Sequence, residues 1–149
     1  MPVHLGERLP CGGGRLRDGG DGDDNIWAGS GEDTILGGDG DDEIFGSSGT
    51  QRDYVDAGAG DDTVRYVGDH STVLGGAGND VLRNLGVTGD GLVVRGGDGD
   101  DTIYGASNST DSTDNDTIYG EGGDDQIRRV GRRVLHEVQR QQRRDRQQE

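Results

Sequence analysis

The sequence predicts an all-β solenoid, and three observations lead there. A nine-residue unit recurs as GGDGDDNIW from 19, GGDGDDEIF from 37, AGAGDDTVR from 57, GGAGNDVLR from 75, GGDGDDTIY from 96 and GEGGDDQIR from 120. A short fixed period marks a solenoid, in which each unit buries its apolar face only against its neighbours. Only 27% of the 149 residues are hydrophobic and 31 are glycine, too little apolar surface for a closed globule. Finally, each unit ends in a short strand with one aliphatic side chain. This gives eleven core candidates: Ile26, Ile35, Ile44, Val55, Val64, Val73, Leu82, Val94, Ile103, Ile118 and Ile127.

Three segments follow in order. Residues 1–18 read as a flexible leader; LPCGGG around Cys11 lacks the apolar run of a signal peptide, and a lone cysteine makes no internal disulfide. Residues 19–128 hold about eleven repeats, starting at 19, 28, 37, 46, 57, 66, 75, 84, 96, 105 and 120. Residues 129–149 form an Arg/Gln-rich tail. Val130, Val134, Leu135 and Val138 have helical spacing there, which predicts a short amphipathic helix capping the last coil. The alternative beyond Gln139 is a frayed polar terminus. No segment reaches the length of a membrane span.

Charge narrows the function classes. Residues 18–128 carry 26 acids against 5 arginines, net -21; the leader (1–17) contributes +2 and the tail +4, giving -15 for the chain. Such a middle repels nucleic acid and anionic membrane and attracts cations. Eleven aliphatic side chains also fall short of offsetting the entropy of ordering more than a hundred backbone units. A bound cation is the natural source of the missing stabilisation.

The turn chemistry selects which cation. Glycines allow positive φ and aim carbonyl oxygens inward, and the closing aspartate adds a charged oxygen, so the shell is all-oxygen and suits calcium. Zinc or copper would need histidine or cysteine, and Cys11, His4, His70 and His136 are scattered. Magnesium demands a more rigid octahedral set.

At this point the GGxGxDxUx pattern resembles the RTX, or hemolysin-type, calcium-binding repeats over residues 19–128. The resemblance implies a right-handed parallel β-roll, with six residues per turn, three per strand and two repeats per coil. It also implies calcium held between turns two repeats apart, by aspartates and backbone carbonyls. On that geometry the six well-kept copies stack on one edge, which we call the regular edge, and present Asp24, Asp42, Asp62, Asp80, Asp101 and Asp125. Six turns enclose five gaps, hence up to five calcium ions. The alternate copies fall on the opposite, irregular edge, where those from 46, 66, 84 and 105 are stretched or lack the turn pattern. Asp33, Asp53 and Asp116 are the candidates there, with one or two further ions expected around Asp33 and Asp53. The resemblance further implies extracellular location by type I secretion, although the tail departs from the expected C-terminal signal.

Other motifs carry less. Asp21, Asp23, Asn25 and Glu32 imitate a calcium-loop spacing, but Ile26 occupies its glycine position. Asp69, His70 and Ser71 have the residue types of a hydrolase triad, yet adjacent residues in a strand diverge. With no HExxH and no GxSxG, an enzyme is not expected. Thr34, Tyr54, Thr72, Val93 and Thr117 precede the inward aliphatics and are expected to form an outward row. Ordinary β-propensity explains that row; the alternative is a structural or adhesive module binding a glycan, a cell surface or ice, with calcium as scaffold. A further alternative is a detached C-terminal part of an RTX toxin or enzyme.

Overall fold

The computed structural model describes residues 14–47, 50–65, 67–83, 91–105, 116–128 and 135–136. Its strands are β1 (Leu16–Asp21), β2 (Asn25–Trp27), β3 (Thr34–Asp39), β4 (Glu43–Phe45), β5 (Tyr54–Ala59), β6 (Thr63–Arg65), β7 (Thr72–Ala77), β8 (Val81–Arg83), β9 (Val93–Asp98), β10 (Thr102–Tyr104), β11 (Thr117–Gly122), β12 (Gln126–Arg128) and β13 (Leu135–His136). Odd-numbered strands form a seven-stranded sheet in chain order, and even-numbered strands a six-stranded sheet. Every pairing is parallel and joins strands two apart. A chain that alternates between two such sheets is a β-solenoid, and two repeats per coil make it the parallel β-roll. Among the described residues there is no helix.

The two sheets differ because the two edges differ. Short strands such as β4 (Glu43–Phe45) are the strand triplets of the regular copies. Long strands run a triplet of the irregular copies straight into the next regular turn, as TILGGD does in β3. The glycines therefore enter the ladder, with Gly20 opposite Gly38 and Gly38 opposite Gly58. They must be glycine for a steric reason: Gly38 has φ 121°, and a Cβ there would collide with the Gly20 carbonyl of the coil beneath. The sixth coil departs, since Glu121 takes φ 78° at this turn position.

Between the sheets run two columns of aliphatic side chains. Ile35, Val55, Val73, Val94 and Ile118 stack in register on one sheet. Ile26, Ile44, Val64, Leu82, Ile103 and Ile127 stack on the other. Ten of these eleven are buried, and Ile127, on the last coil, packs partly buried against them. Ala28, Ala57, Val67 and Leu92 join the core as well. The nine-residue period had not marked these four.

Insertions leave this core undisturbed. Only three residues separate β1 from β2, β3 from β4 and each later pair across the regular edge. Across the irregular edge the spacing is wider between β4 and β5, β8 and β9, and β10 and β11, where the additional residues sit. Register is thus kept by concentrating every excess on one side.

One expectation is corrected at the end of the roll. Leu135 and His136, inside the segment predicted as a capping helix, instead form β13, paired with Thr117 and Ile118 of β11. The open edge of β11 presents unpaired N–H and C=O groups, which an added strand satisfies. The rest of 129–149, and residues 1–13 with Cys11, lie outside the described residues.

Truncating the centre of a column should cost far more than truncating the surface. Ile44→Ala is expected to lower the stability of the calcium-loaded chain by about 2–5 kcal/mol in a denaturant melt. Thr34→Ala, on an exposed position, should change it by no more than about 0.5 kcal/mol.

Candidate metal centre

Each regular turn leaves the long-strand sheet after its third residue, reverses at a positive-φ glycine such as Gly40 (φ 132°), and delivers two consecutive polar residues before the short strand. The second of these is the predicted ligand position. Asp24, Asp42, Asp62, Asp80 and Asp101 turn inward and are buried, while Asp125 on the last coil is half-buried. The structure therefore brings all six together in one column.

The column is hydrogen-bonded along its length. The Asp24 N–H donates to Asp42 Oδ1 (2.8 Å), Asp42 to Asp62 (2.8 Å), Asp62 to Asp80 (2.9 Å), Asp80 to Asp101 (2.9 Å) and Asp101 to Asp125 (3.1 Å). One oxygen of each carboxylate from Asp42 to Asp125 is thereby committed to the backbone. The other is not: Oδ2 of Asp24, Asp42, Asp62, Asp80 and Asp101 is buried without a hydrogen-bond partner. A buried anionic oxygen without a donor is costly, and a cation is what removes the cost.

The surroundings of these oxygens fit calcium. A Cβ built on Gly19 would lie 2.7 Å from Asp24 Oδ2 and 2.5 Å from the Gly37 carbonyl oxygen of the next coil. Gly75 and Gly96 show the same convergence, of Asp80 Oδ2 with the Gly96 carbonyl and of Asp101 Oδ2 with the Gly120 carbonyl. Carboxylate and backbone oxygens thus meet over a glycine that has no side chain to fill the space. Among the described residues no three His, Cys, Asp or Glu side chains gather into a side-chain-only metal cluster. The donor set is one carboxylate with carbonyls, all hard oxygen.

A second column was not anticipated. The residue before each inward aspartate is Asp23, Asp41, Asp61, Asn79, Asp100 and Asp124, and Oδ1 of each of the first five accepts the N–H of its counterpart one coil later. The distances are 2.9 Å for Asp41 to Asp23, 2.8 Å for Asp61 to Asp41, 2.8 Å for Asn79 to Asp61, 2.9 Å for Asp100 to Asn79 and 2.7 Å for Asp124 to Asp100. The signal was present in the sequence, since all six copies carry Asp or Asn there. Reading that place as variable concealed it.

The irregular edge contains a mixed column. The Arg15 N–H donates to Asp33 Oδ1 (3.0 Å), Asp33 to Asp53 Oδ1 (3.0 Å), Asp53 to Ser71 Oγ (2.9 Å), and Leu92 to Asp116 Oδ1 (3.0 Å). Ser71 and Leu92 thus occupy aspartate places, the first as a hydroxyl acceptor and the second as part of the core. Asp33 and Asp53 also differ from each other. Asp33 Oδ2 is buried without a partner, whereas Asp53 Oδ2 accepts from Ser47 Oγ (2.7 Å) and the Ser47 N–H (3.3 Å).

Ser71 is committed structurally rather than to a relay: it is buried and also contacts the Gln51 carbonyl at 3.3 Å. Next to it His70 is exposed with φ 58°. The outward row of Thr34, Tyr54, Thr72, Val93 and Thr117 does stand in register on the long-strand sheet, with Tyr54 and Val93 interrupting its threonines.

Electrostatics follow from the stacking. Burial pushes the Asp62 carboxyl from an ordinary 3.8 up to about 7, assisted by the charges of Asp80, Asp42 and Asp41 and opposed by the Asp42 N–H. Burial likewise raises Asp80 and Asp101 to about 6, and raises Asp42 and Asp125. A carboxyl raised in the fold stabilises that fold below the ordinary carboxylate range, and the benefit is lost as pH climbs through the raised value. In chelator, β content by circular dichroism should therefore be higher at pH 5 than at pH 8. Protons would compete with calcium held at these carboxylates, so the calcium midpoint should move to higher concentration on going from pH 8 to pH 5.

Comparison with known families agrees with the geometry. The family model of the RTX calcium-binding nonapeptide repeat matches residues 18–50, 49–66, 67–83, 93–109 and 110–128. No curated protein and no solved structure matches the chain. Among the described residues no helix is long and apolar enough to cross a membrane. With the repeat pattern, the roll and the oxygen-lined column all in place, the chain belongs to the RTX calcium-binding repeat family.

Proposed function

We propose that this chain is a non-enzymatic module that folds on binding several calcium ions and works outside the cell. The observation that carries the reading is the column of five buried Oδ2 atoms without hydrogen-bond partners on the regular edge. These five atoms equal in number the five gaps between six turns. We assign an ion to each gap, held by Asp24, Asp42, Asp62, Asp80, Asp101 and Asp125 with backbone carbonyls. On the irregular edge Asp33 retains an unpartnered oxygen and is the better ligand. Asp53 is already hydrogen-bonded by Ser47, and Asp116 stands beyond the Ser71 and Leu92 interruption.

Coupling to folding follows from where the ligands come from. The aspartates that flank a gap lie 18–24 residues apart in the chain, so no site exists until two coils have stacked. Binding free energy then becomes folding free energy. Calcium modules working outside cells bind at about 10⁻⁴–10⁻³ M, which keeps such a chain loose in a low-calcium cytosol and folds it outside. Type I secretion accords with that logic.

Calcium titration followed by circular dichroism and by calorimetry tests the reading. Cooperative gain of β content together with about five to six ions bound is expected; the same β content in chelator at pH 8 as in millimolar calcium would overturn the coupling to folding. Replacing Asp62 and Asp80 with alanine should reduce the number of ions bound, and an unchanged stoichiometry would remove the regular edge from consideration.

A further inference from the structure

The six turns of the regular edge differ at the place where each begins. Their first residues are Gly19, Gly37, Ala57, Gly75, Gly96 and Gly120, so the third coil alone carries a side chain there. Ala57 is 0% exposed and belongs to the apolar core. Its methyl group therefore points into the roll.

The sister coils show what that methyl meets. A Cβ on Gly19 would lie 2.7 Å from Asp24 Oδ2 and 2.5 Å from the Gly37 carbonyl oxygen, nearer than the 3.0 Å that real Cβ atoms respect. A Cβ on Gly37 would collide with Asp42 Oδ2 and the Ala57 carbonyl, one on Gly75 with Asp80 Oδ2 and the Gly96 carbonyl, and one on Gly96 with Asp101 Oδ2 and the Gly120 carbonyl. This place is thus the floor of a gap, where the carboxylate of one coil and the carbonyl of the next converge. Glycine leaves it open in the first, second, fourth and fifth gaps. In the third, between the turns of Asp62 and Asp80, the Ala57 methyl occupies it.

The stack leaves the third coil little freedom to avoid the contact. On either side of Ala57 the strand keeps its register with β7, Asp56 opposite Leu74 and Gly58 opposite Gly76. The Asp62 N–H donates to Asp80 at 2.9 Å, as in the neighbouring coils. Asp62 Oδ2 is nonetheless buried without a hydrogen-bond partner, like its neighbours. This coil keeps the ligand and its need for a cation, yet sets an apolar group against the oxygens. Calcium takes about six to eight oxygens at about 2.3–2.6 Å, and a methyl among them holds carboxylate and carbonyl apart. Resting on the calcium reading above, we propose that Ala57 makes the third gap the weakest calcium site of the regular edge, so that the gaps on either side fill first and the middle one last. The edge then works as two short ladders joined by a late link.

The test is calorimetric titration of the full chain with calcium at pH 8, comparing the parent with Ala57→Gly and with Ala59→Gly, an exposed position of the same strand outside the gap. The parent is expected to show a late phase at higher calcium concentration than the rest. Ala57→Gly should lower the calcium concentration of that phase by about tenfold, the relief expected of an overpacked site. Glycine inside a strand otherwise destabilises, so a merely structural role for Ala57 predicts the opposite sign, a raised calcium requirement. Ala59→Gly is expected to raise it slightly. A parent without a late phase, a late phase unmoved or raised by Ala57→Gly, or an equal lowering by Ala59→Gly would each overturn the proposal. Calcium content separates the two readings: a chain that binds calcium in a single phase loses only this proposal, whereas a chain that binds none loses the calcium reading as well.

Discussion

The structure depends on one constraint: parallel strands stacked in register turn every repeated residue into a column at the strand spacing. Aliphatic residues become a continuous core, which is favourable. Aspartates become a line of like charges about 4.8 Å apart, where each neighbouring pair repels by roughly 3–4 kcal/mol at an effective dielectric constant near 20. Burial adds to this cost and is the main reason the Asp62, Asp80 and Asp101 carboxyls are raised, and the backbone N–H group that each of them accepts offsets it only in part. A counter-ion built into its lattice would stabilise a fold with so small a core and so concentrated a charge.

The two edges carry that charge differently. Where the six-residue turn is kept, the inward carboxylate and the next coil's carbonyl share one space. Where it is altered, the roll finds neutral substitutes. Ser71 supplies an oxygen to the Asp53 N–H without adding charge, and Leu92 replaces the carboxylate with core. Ser47 closes the open oxygen of Asp53. The middle of the irregular edge is consequently assembled from hydrogen bonds and apolar packing.

Much of this was legible in the sequence. The eleven aliphatic positions follow directly from a period of nine, because burial requires the same residue type at the same place in each unit. The two-edge register, and with it the column of Asp24 to Asp125, came from the family resemblance, which implies two repeats per coil. Ser71 and Leu92 were not legible, because their roles are set by being in line with Asp53 and Asp116, and intervening residues of irregular number hide that alignment. Asp23, Asp41 and Asp61 were missed for the opposite reason: their pattern was regular, but its purpose lies in the N–H of another coil. At the tail, helical spacing over Val134 and Leu135 competed with an open sheet edge, and at Leu135–His136 the edge prevailed.

The two aspartate columns run in opposite senses. In the inner one a coil gives its N–H to the carboxylate of the coil that follows; in the outer one it gives its N–H to the coil before. A stack built this way has polarity, for one end offers inner oxygens and outer N–H groups and the other end the reverse. Those ends are mutually complementary, so a coil duplicated within the gene would meet the same contacts above and below as the coil it copied. Length in such a molecule is an evolutionary variable, adjustable one coil at a time without a new interface.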